Sequence, residues 1–155
     1  MSAGGSTTAR KVLYLSYDGL TDPLGRSQVL PYLTRLAALG HDITIVSFEK
    51  RRRSDSVEHV RRLCQDVGLR WHPQVYHKHP PVFSTMRDIR RMQVVAEHLH
   101  RERPFDLVHC RSDLPALVGL AMKRRHGLRF LFDMRGFWAD ERVDGGLWSL
   151  HNPLH

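Results

Sequence analysis

Two polar stretches of the chain contain residues whose types suit chemistry. The first, Asp18 to Gly25, holds two aspartates, two glycines and a proline directly after an apolar run of strand length. Glycines let a backbone approach a phosphate closely, and a helix start presents free N–H groups to an anion. This pattern favours phosphate or diphosphate binding, with an ordinary βα turn as the alternative. Neither the dinucleotide fingerprint G-x-G-x-x-G nor a P-loop occurs here.

The second stretch, 133–146, places acids and a guanidinium in close succession: Asp133, Arg135, Asp140 and Glu141. Carboxylates and arginine together satisfy several hydroxyl groups, so the stretch predicts polyol binding. A solvated loop with internal ion pairs is the alternative. Phe137 and Trp138 favour the binding interpretation, because exposed aromatics in a polar loop usually have a partner.

Strand and helix patterns alternate along the chain and predict how these stretches are positioned. Strands are expected at 11–17, 41–48, 69–76, 105–110 and 128–133; helices are expected from 25–28 to 40, 54–68, 85–103 and 112–127. Ser112 is the expected N-cap of the last helix, and Pro80-Pro81 predict a non-helical linker over 77–83. The alternation predicts a doubly wound, parallel, Rossmann-like α/β sheet.

The expected strand order is 3-2-1-4-5, with the first strand central. Parallel strands bring their carboxyl ends to one edge. We therefore expect Gly25, Arg135, Asp18 and Arg111 to line one cleft at that edge.

Length and composition predict one globular domain over 11–155, preceded by a disordered leader over 1–10. Cys64 and Cys110 do not suggest a disulfide framework, which favours a reducing, cytoplasmic setting. Metal-ligand spacings are absent from the sequence, so neither a metal nor another cofactor is expected. The formal charge of +8 favours anionic partners.

Phosphates, nucleic acid and an acidic membrane surface are all anionic partners of this kind, and charge alone does not choose among them. Peripheral contact with an anionic membrane is expected through the basic stretches 50–53, 61–62 and 87–91. No nucleic-acid motif supports a nucleic-acid partner.

The runs 17–33 and 133–141 resemble the amino-terminal domain of GT-B glycosyltransferases of family 4, and the resemblance extends from Lys11 to about Gly146. It implies a metal-independent transfer, with retention, of a sugar from a nucleotide-sugar donor to a glycan or lipid-linked acceptor. By position, it places Gly25 and Arg26 on the donor diphosphate loop. Asp18, Arg111, Asp140 and Glu141 fall on the acceptor side. Arg135 stands where many members carry a histidine near the reacting sugar, so it is the catalytic candidate.

The resemblance also implies a second, nucleotide-gripping domain that this sequence does not contain. The chain is accordingly expected to be a fragment that is inactive alone. The alternative is a non-catalytic module that binds a nucleotide or a phosphorylated ligand, in which Glu49 would serve as a ribose-binding acid. The missing dinucleotide fingerprint argues against that role for Glu49.

Overall fold

The computed structural model of the protein describes residues 8–51 and 54–135. Five strands alternate with helices in chain order: β1 Lys11–Ser16, α1 Leu30–Ala38, β2 Asp42–Glu49, α2 Ser54–Asp66, β3 Arg70–Val75, α3 Pro81–Glu102, β4 Leu107–Arg111, α4 Asp113–His126 and β5 Arg129–Asp133. A π-helical turn, Gly25–Val29, runs directly into α1. The predicted strand ends differ from these bounds by at most two residues.

The five strands form one sheet in the order β3-β2-β1-β4-β5, and every neighbouring pair is parallel. In the central strand, Leu15 pairs with Val46 of β2 on one side and with Cys110 of β4 on the other. The predicted doubly wound parallel sheet and its strand order are confirmed. All the strands therefore end at the same edge, where the β1, β4 and β5 loops meet.

Helices cover the sheet on both faces, because successive strand residues point to opposite sides. On one face, Leu13 and Leu15 pack in a cluster with residues of α3 and α4, including Met92 and Met122. On the other face, Val12 and Tyr14 lie in a cluster with residues of α1 and α2. The two buried cysteines are divided between these layers, with Cys110 in the first cluster and Cys64 in the second.

The structure corrects two local predictions. Helix α3 begins at Pro81, inside the segment expected to be non-helical. Proline suits the first helical position because that N–H has no partner inside the helix, so Pro81 starts the helix and does not exclude it. Ser112 occupies the N-cap position of α4 as predicted, but its side chain makes no capping hydrogen bond, and its φ of 68° is unusual for a residue with a Cβ.

Candidate functional site

An open cleft of about 630 Å³ lies where β1, β4 and β5 meet the start of α1. Its lining combines cations, one carboxylate, one amide and several aromatic rings: Tyr14, Gln28, Val29, Tyr32, His109, Arg111, Leu131, Phe132, Asp133 and Arg135. The parallel register explains the convergence, because Arg111 of β4 pairs with Ser16 of β1 and with Asp133 of β5.

Two arginines share one amide and one carboxylate in this cleft. The Oε1 atom of Gln28 accepts hydrogen bonds from Nη2 of Arg135 at 2.6 Å and from Nη2 of Arg111 at 3.4 Å. Asp133 lies 3.7 Å from Arg111 and 3.8 Å from Arg135. Both ion pairs are longer than a charge-assisted hydrogen bond. Two positive charges facing one negative charge leave the group cationic, which suits an anionic ligand.

Aromatic side chains form the wall of the cleft beside these charges. The ring of His109 makes edge contacts with Tyr14 at 4.8 Å and with Tyr32 at 6.0 Å between ring centroids. Burial lowers the pKa of His109, so its imidazole is neutral near pH 7. Burial also raises the pKa of Tyr14 to about 12, although the nearby Arg111 opposes the shift. The wall therefore presents neutral polar groups to a ligand.

The turn after β1 is held by the buried carboxylate of Glu49. Its Oε1 atom accepts from the Leu20 N–H at 2.9 Å and from the Ser47 hydroxyl at 2.7 Å. Its Oε2 atom accepts from the Thr21 N–H at 3.1 Å and from the Thr21 hydroxyl at 2.6 Å. A carboxylate has about four lone-pair sites, so these bonds occupy them all. The geometry therefore gives Glu49 a structural role in the turn and does not support ribose binding.

Gly25 is required by packing within the same turn. A Cβ at this position would lie 2.3 Å from the Gly19 carbonyl oxygen and 2.7 Å from the Leu20 Cα. Other N–H groups of the turn are used internally, since Asp22 N donates to Gly19 O and Arg26 N donates to Asp22 O. These bonds leave the turn fewer free donors than the sequence pattern suggested.

The predicted site residues divide into three groups. Arg111 and Arg135 line the cleft together. Asp18, Gly25 and Arg26 belong to the same sheet edge but do not line the cleft. Asp18 and Arg26 are exposed, and Gly25 is buried. Asp140 and Glu141 lie outside the described residues.

Several cleft residues were not identified from the sequence, namely Gln28, Tyr14 and His109. A signal for His109 exists, because it is a polar residue within the otherwise apolar run 107–110 of a strand. Gln28 lies in the predicted helix start, where its type alone does not separate it from any surface residue.

Within residues 8–51 and 54–135, no group of three or more histidines, cysteines, aspartates and glutamates has the geometry to hold a metal ion. Across the same ranges, none of the helices combines the length and the apolar character that crossing a membrane requires.

The fold and the cleft define a class: a doubly wound Rossmann-like α/β domain with a polar ligand cleft at the carboxyl edge of its sheet. The family described as "Glycosyl transferase 4-like domain" matches residues 26–152 of the chain. The chain therefore belongs to the glycosyl transferase 4-like family, and the resemblance to GT-B family 4 amino-terminal domains is confirmed. No curated protein matches the chain.

Solved structures support the fold. The carboxyl-terminal domain of the PF1911 hydrogenase from Pyrococcus furiosus is similar with a TM-score of 0.59 at 14% identity, over 79% of this chain and 90% of that domain. The glycotransferase of kitacinnamycin is similar with a TM-score of 0.58 at 12% identity. That likeness covers 81% of this chain but only 30% of the glycotransferase.

Proposed function

We propose that this chain is the acceptor-side domain of a glycosyltransferase that moves a sugar from a nucleotide-sugar donor to a glycan or lipid-linked acceptor. The observation that carries the proposal is the cleft at the sheet edge, with Arg111 and Arg135 converging on Gln28, in a member of the glycosyl transferase 4-like family. The transfer retains anomeric configuration and needs no metal. The setting is the cytoplasm.

Arg135 has the catalytic role in this proposal. Its guanidinium is partly exposed in the cleft and is anchored by Gln28, so it can face a bound ligand without losing its position. A fixed cation stabilises negative charge that develops as a sugar leaves its diphosphate. Asp18, Arg111, Asp140 and Glu141 contact the acceptor, and Gly25 and Arg26 contact the donor diphosphate.

In this proposal the reaction also requires a second domain, which binds the nucleotide of the donor. Transfer requires donor and acceptor to be held in register, and positioning contributes up to ~7–11 kcal/mol. The cleft that the described residues form is open, so these residues alone would not surround a bound donor. The chain alone is therefore expected to bind ligand weakly and not to transfer sugar.

The test is incubation of the chain, alone and extended by such a domain, with a panel of nucleotide sugars and acceptors. Mass spectrometry detects the product, NMR gives the anomer, and EDTA tests metal dependence. The extended protein should transfer sugar and lose this activity in Arg135→Ala, with Arg129→Ala as the matched control from the opposite end of β5. Turnover of about 1 per second by the chain alone would contradict the expectation that the chain alone does not transfer sugar. Nucleotide binding without transfer in the extended protein would favour the non-catalytic module.

The proposed membrane contact is best supported at the start of α3. Val82, Phe83 and Met86 are 69%, 72% and 62% exposed, and the exposed Arg87 and Arg90 follow on the same outward face. Apolar side chains beside cations are typical of contact with an anionic bilayer. The other basic stretches are partly neutralised, as Lys50 pairs with Asp22 and Glu58 accepts from Arg62.

Vesicle cosedimentation tests this contact. The chain should sediment with anionic vesicles at low salt, and F83S/M86S should weaken the binding. Leu39→Ser is the matched control, since Leu39 is 62% exposed at the end of α1. Equal sedimentation with neutral and anionic vesicles would exclude the membrane proposal.

A further inference from the structure

Arg111 is a buried cation whose hydrogen-bonding capacity is only partly used. Only 6% of the residue is exposed, yet its Nε atom has no hydrogen-bond partner in the described part of the chain. Its other contacts are a side-chain hydrogen bond with Tyr14 and the long contacts to Gln28 and Asp133. A guanidinium has five N–H donors, and burying its charge is costly unless an anion is close. Asp133 lies 3.7 Å from Arg111 but is shared with Arg135, so the two guanidinium groups together retain one uncompensated positive charge.

A second unpartnered polar atom lies in the same lining. His109 is 5% exposed, and its Nε2 atom has no hydrogen-bond partner among residues 8–51 and 54–135. His109 and Arg111 are two residues apart on β4, so their side chains point to the same face of the sheet. Buried polar groups are nearly always satisfied, and two exceptions side by side in one cleft indicate a ligand position.

The charges of the cleft select the ligand chemistry. Arg111 and Arg135 contribute two positive charges, and Asp133 opposes them with one. Guanidinium groups bind phosphate with parallel N–H donors, and a phosphate has enough oxygens to reach both arginines and the imidazole together. A neutral sugar hydroxyl would leave the net positive charge of Arg111, Arg135 and Asp133 uncompensated.

We propose that this cleft binds a phosphate group carried by the acceptor, with Arg111 as the main contact and His109 as a hydrogen-bonding partner. Arg135 is a second contact, and in this proposal it lies between the acceptor phosphate and the reacting sugar, which it also faces. The inference rests on the proposed function, since it names the acceptor class. The acceptor is favoured over the donor because Arg111, a proposed acceptor contact, lines this cleft, whereas the proposed donor diphosphate contacts Gly25 and Arg26 do not. The acceptor class is thus a sugar phosphate or a lipid-linked sugar phosphate.

Titration calorimetry of the purified chain tests the inference with inorganic phosphate, a sugar 1-phosphate, the matching neutral sugar and a nucleoside diphosphate as probes. The sugar phosphate should bind more tightly than the neutral sugar, and Arg111→Gln should weaken it about tenfold to a hundredfold. Arg129→Gln is the matched control, because Arg129 is exposed at the amino end of β5. Circular dichroism checks folding, and Arg135→Gln gives a second variant at an exposed position.

NMR of the imidazole nitrogens supplies an independent readout. The His109 signal, assigned by its loss in His109→Gln, should shift when the sugar phosphate is added and should not shift with the neutral sugar.

Three results would overturn the inference: no phosphate binding at millimolar concentration, equal loss in Arg129→Gln, or Arg111-dependent binding of the nucleoside diphosphate alone. The last result would assign the cleft to the donor. Binding without glycosyl transfer in the extended protein would reject the proposed function and leave phosphate binding standing.

Discussion

Glu49 shows how a single side chain fixes the geometry of the sheet edge. Its carboxylate satisfies donors from Leu20, Thr21 and Ser47, and the Trp71 indole N–H in turn donates to the Ser47 hydroxyl at 2.8 Å. Because these groups are buried, the network determines where the turn after β1 runs.

Replacing Glu49 with alanine should therefore destabilise the fold strongly. Two backbone N–H groups and two hydroxyls would lose their acceptor, and we expect a loss of at least about 3 kcal/mol in the free energy of unfolding. Urea denaturation followed by circular dichroism measures the loss. Glu58→Ala is the control: its exposed carboxylate pairs with Arg61 and Arg62, so it should change stability by about 0–1 kcal/mol. Similar losses in both variants would contradict the structural role of Glu49.

For individual residues, the sequence shows which side chains are charged but does not predict which of them are buried. Arg111 and Arg135 both follow strand residues, and their convergence is predictable from parallel pairing. That Arg111 is buried while Arg135 is partly exposed depends on the packing of α1 against the sheet. His109 was missed for the same reason, since its place in the cleft depends on its contacts with Tyr14 and Tyr32.

The π-helical turn connects the β1 loop to the cleft. Gly25 packs against the backbone of Gly19 and Leu20, and Gln28, which both arginines contact, lies one turn later. The position of Gln28 is therefore coupled to the packing of Gly25.

Gly25→Ala tests this coupling. The new Cβ would overlap backbone atoms, which cannot rotate away, so the turn must shift at an expected cost of about 1–3 kcal/mol. Urea denaturation measures this cost, and binding of the sugar phosphate should weaken as well because Gln28 moves. Ser27→Ala is a suitable control, since the Ser27 hydroxyl is exposed and donates to Pro23 O at 2.8 Å. Unchanged stability in Gly25→Ala would show that the turn has more room than the structure gives it.

Elements are more predictable than their ends. The alternation of patterns predicts all the described strands. Three of them, β2, β3 and β5, are also marked by a glycine with positive φ that separates helix from strand, namely Gly40, Gly68 and Gly127. The predicted start of α3 was wrong because a proline pair can start a helix as well as interrupt one. Ser112 likewise has a side chain typical of an N-cap, but its backbone conformation is set by the link between β4 and α4, where its N–H donates to Asp133 O.

At the scale of the whole molecule, three buried or half-buried histidines link stability to pH. Burial is the first cause that lowers the pKa of His72, His100 and His109 below the ordinary value of 6.5. The unfolded chain therefore binds more protons than the folded chain below about pH 6.5, and folding stability falls as the pH falls through that value. Glu97, with its pKa lowered mainly by the His126 and Arg125 contacts that outweigh burial, extends the loss to more acidic solution.

The expected result is a urea midpoint that is highest above about pH 7 and decreases steadily towards pH 5. His109→Gln should flatten part of this dependence, because it removes one of the groups that the folded state keeps neutral. His98→Gln is the control, since His98 is largely exposed on α3. A midpoint that rises on acidification would contradict the neutral state of these histidines.

Because one cysteine lies in each layer, thiol labelling can measure the local opening of the two layers separately. Burial raises the pKa of Cys64 to about 11 and of Cys110 to about 12, so neither thiol is nucleophilic in the folded protein at neutral pH. Alkylation must wait for an opening motion, and its rate then reports the free energy of that motion. In Cys64→Ala the remaining thiol should report the α3 and α4 side of the sheet, and in Cys110→Ala the α1 and α2 side. If a phosphate ligand slows labelling at one thiol more than at the other, it stabilises that layer more strongly, whereas equal slowing means that both layers open as one cooperative unit.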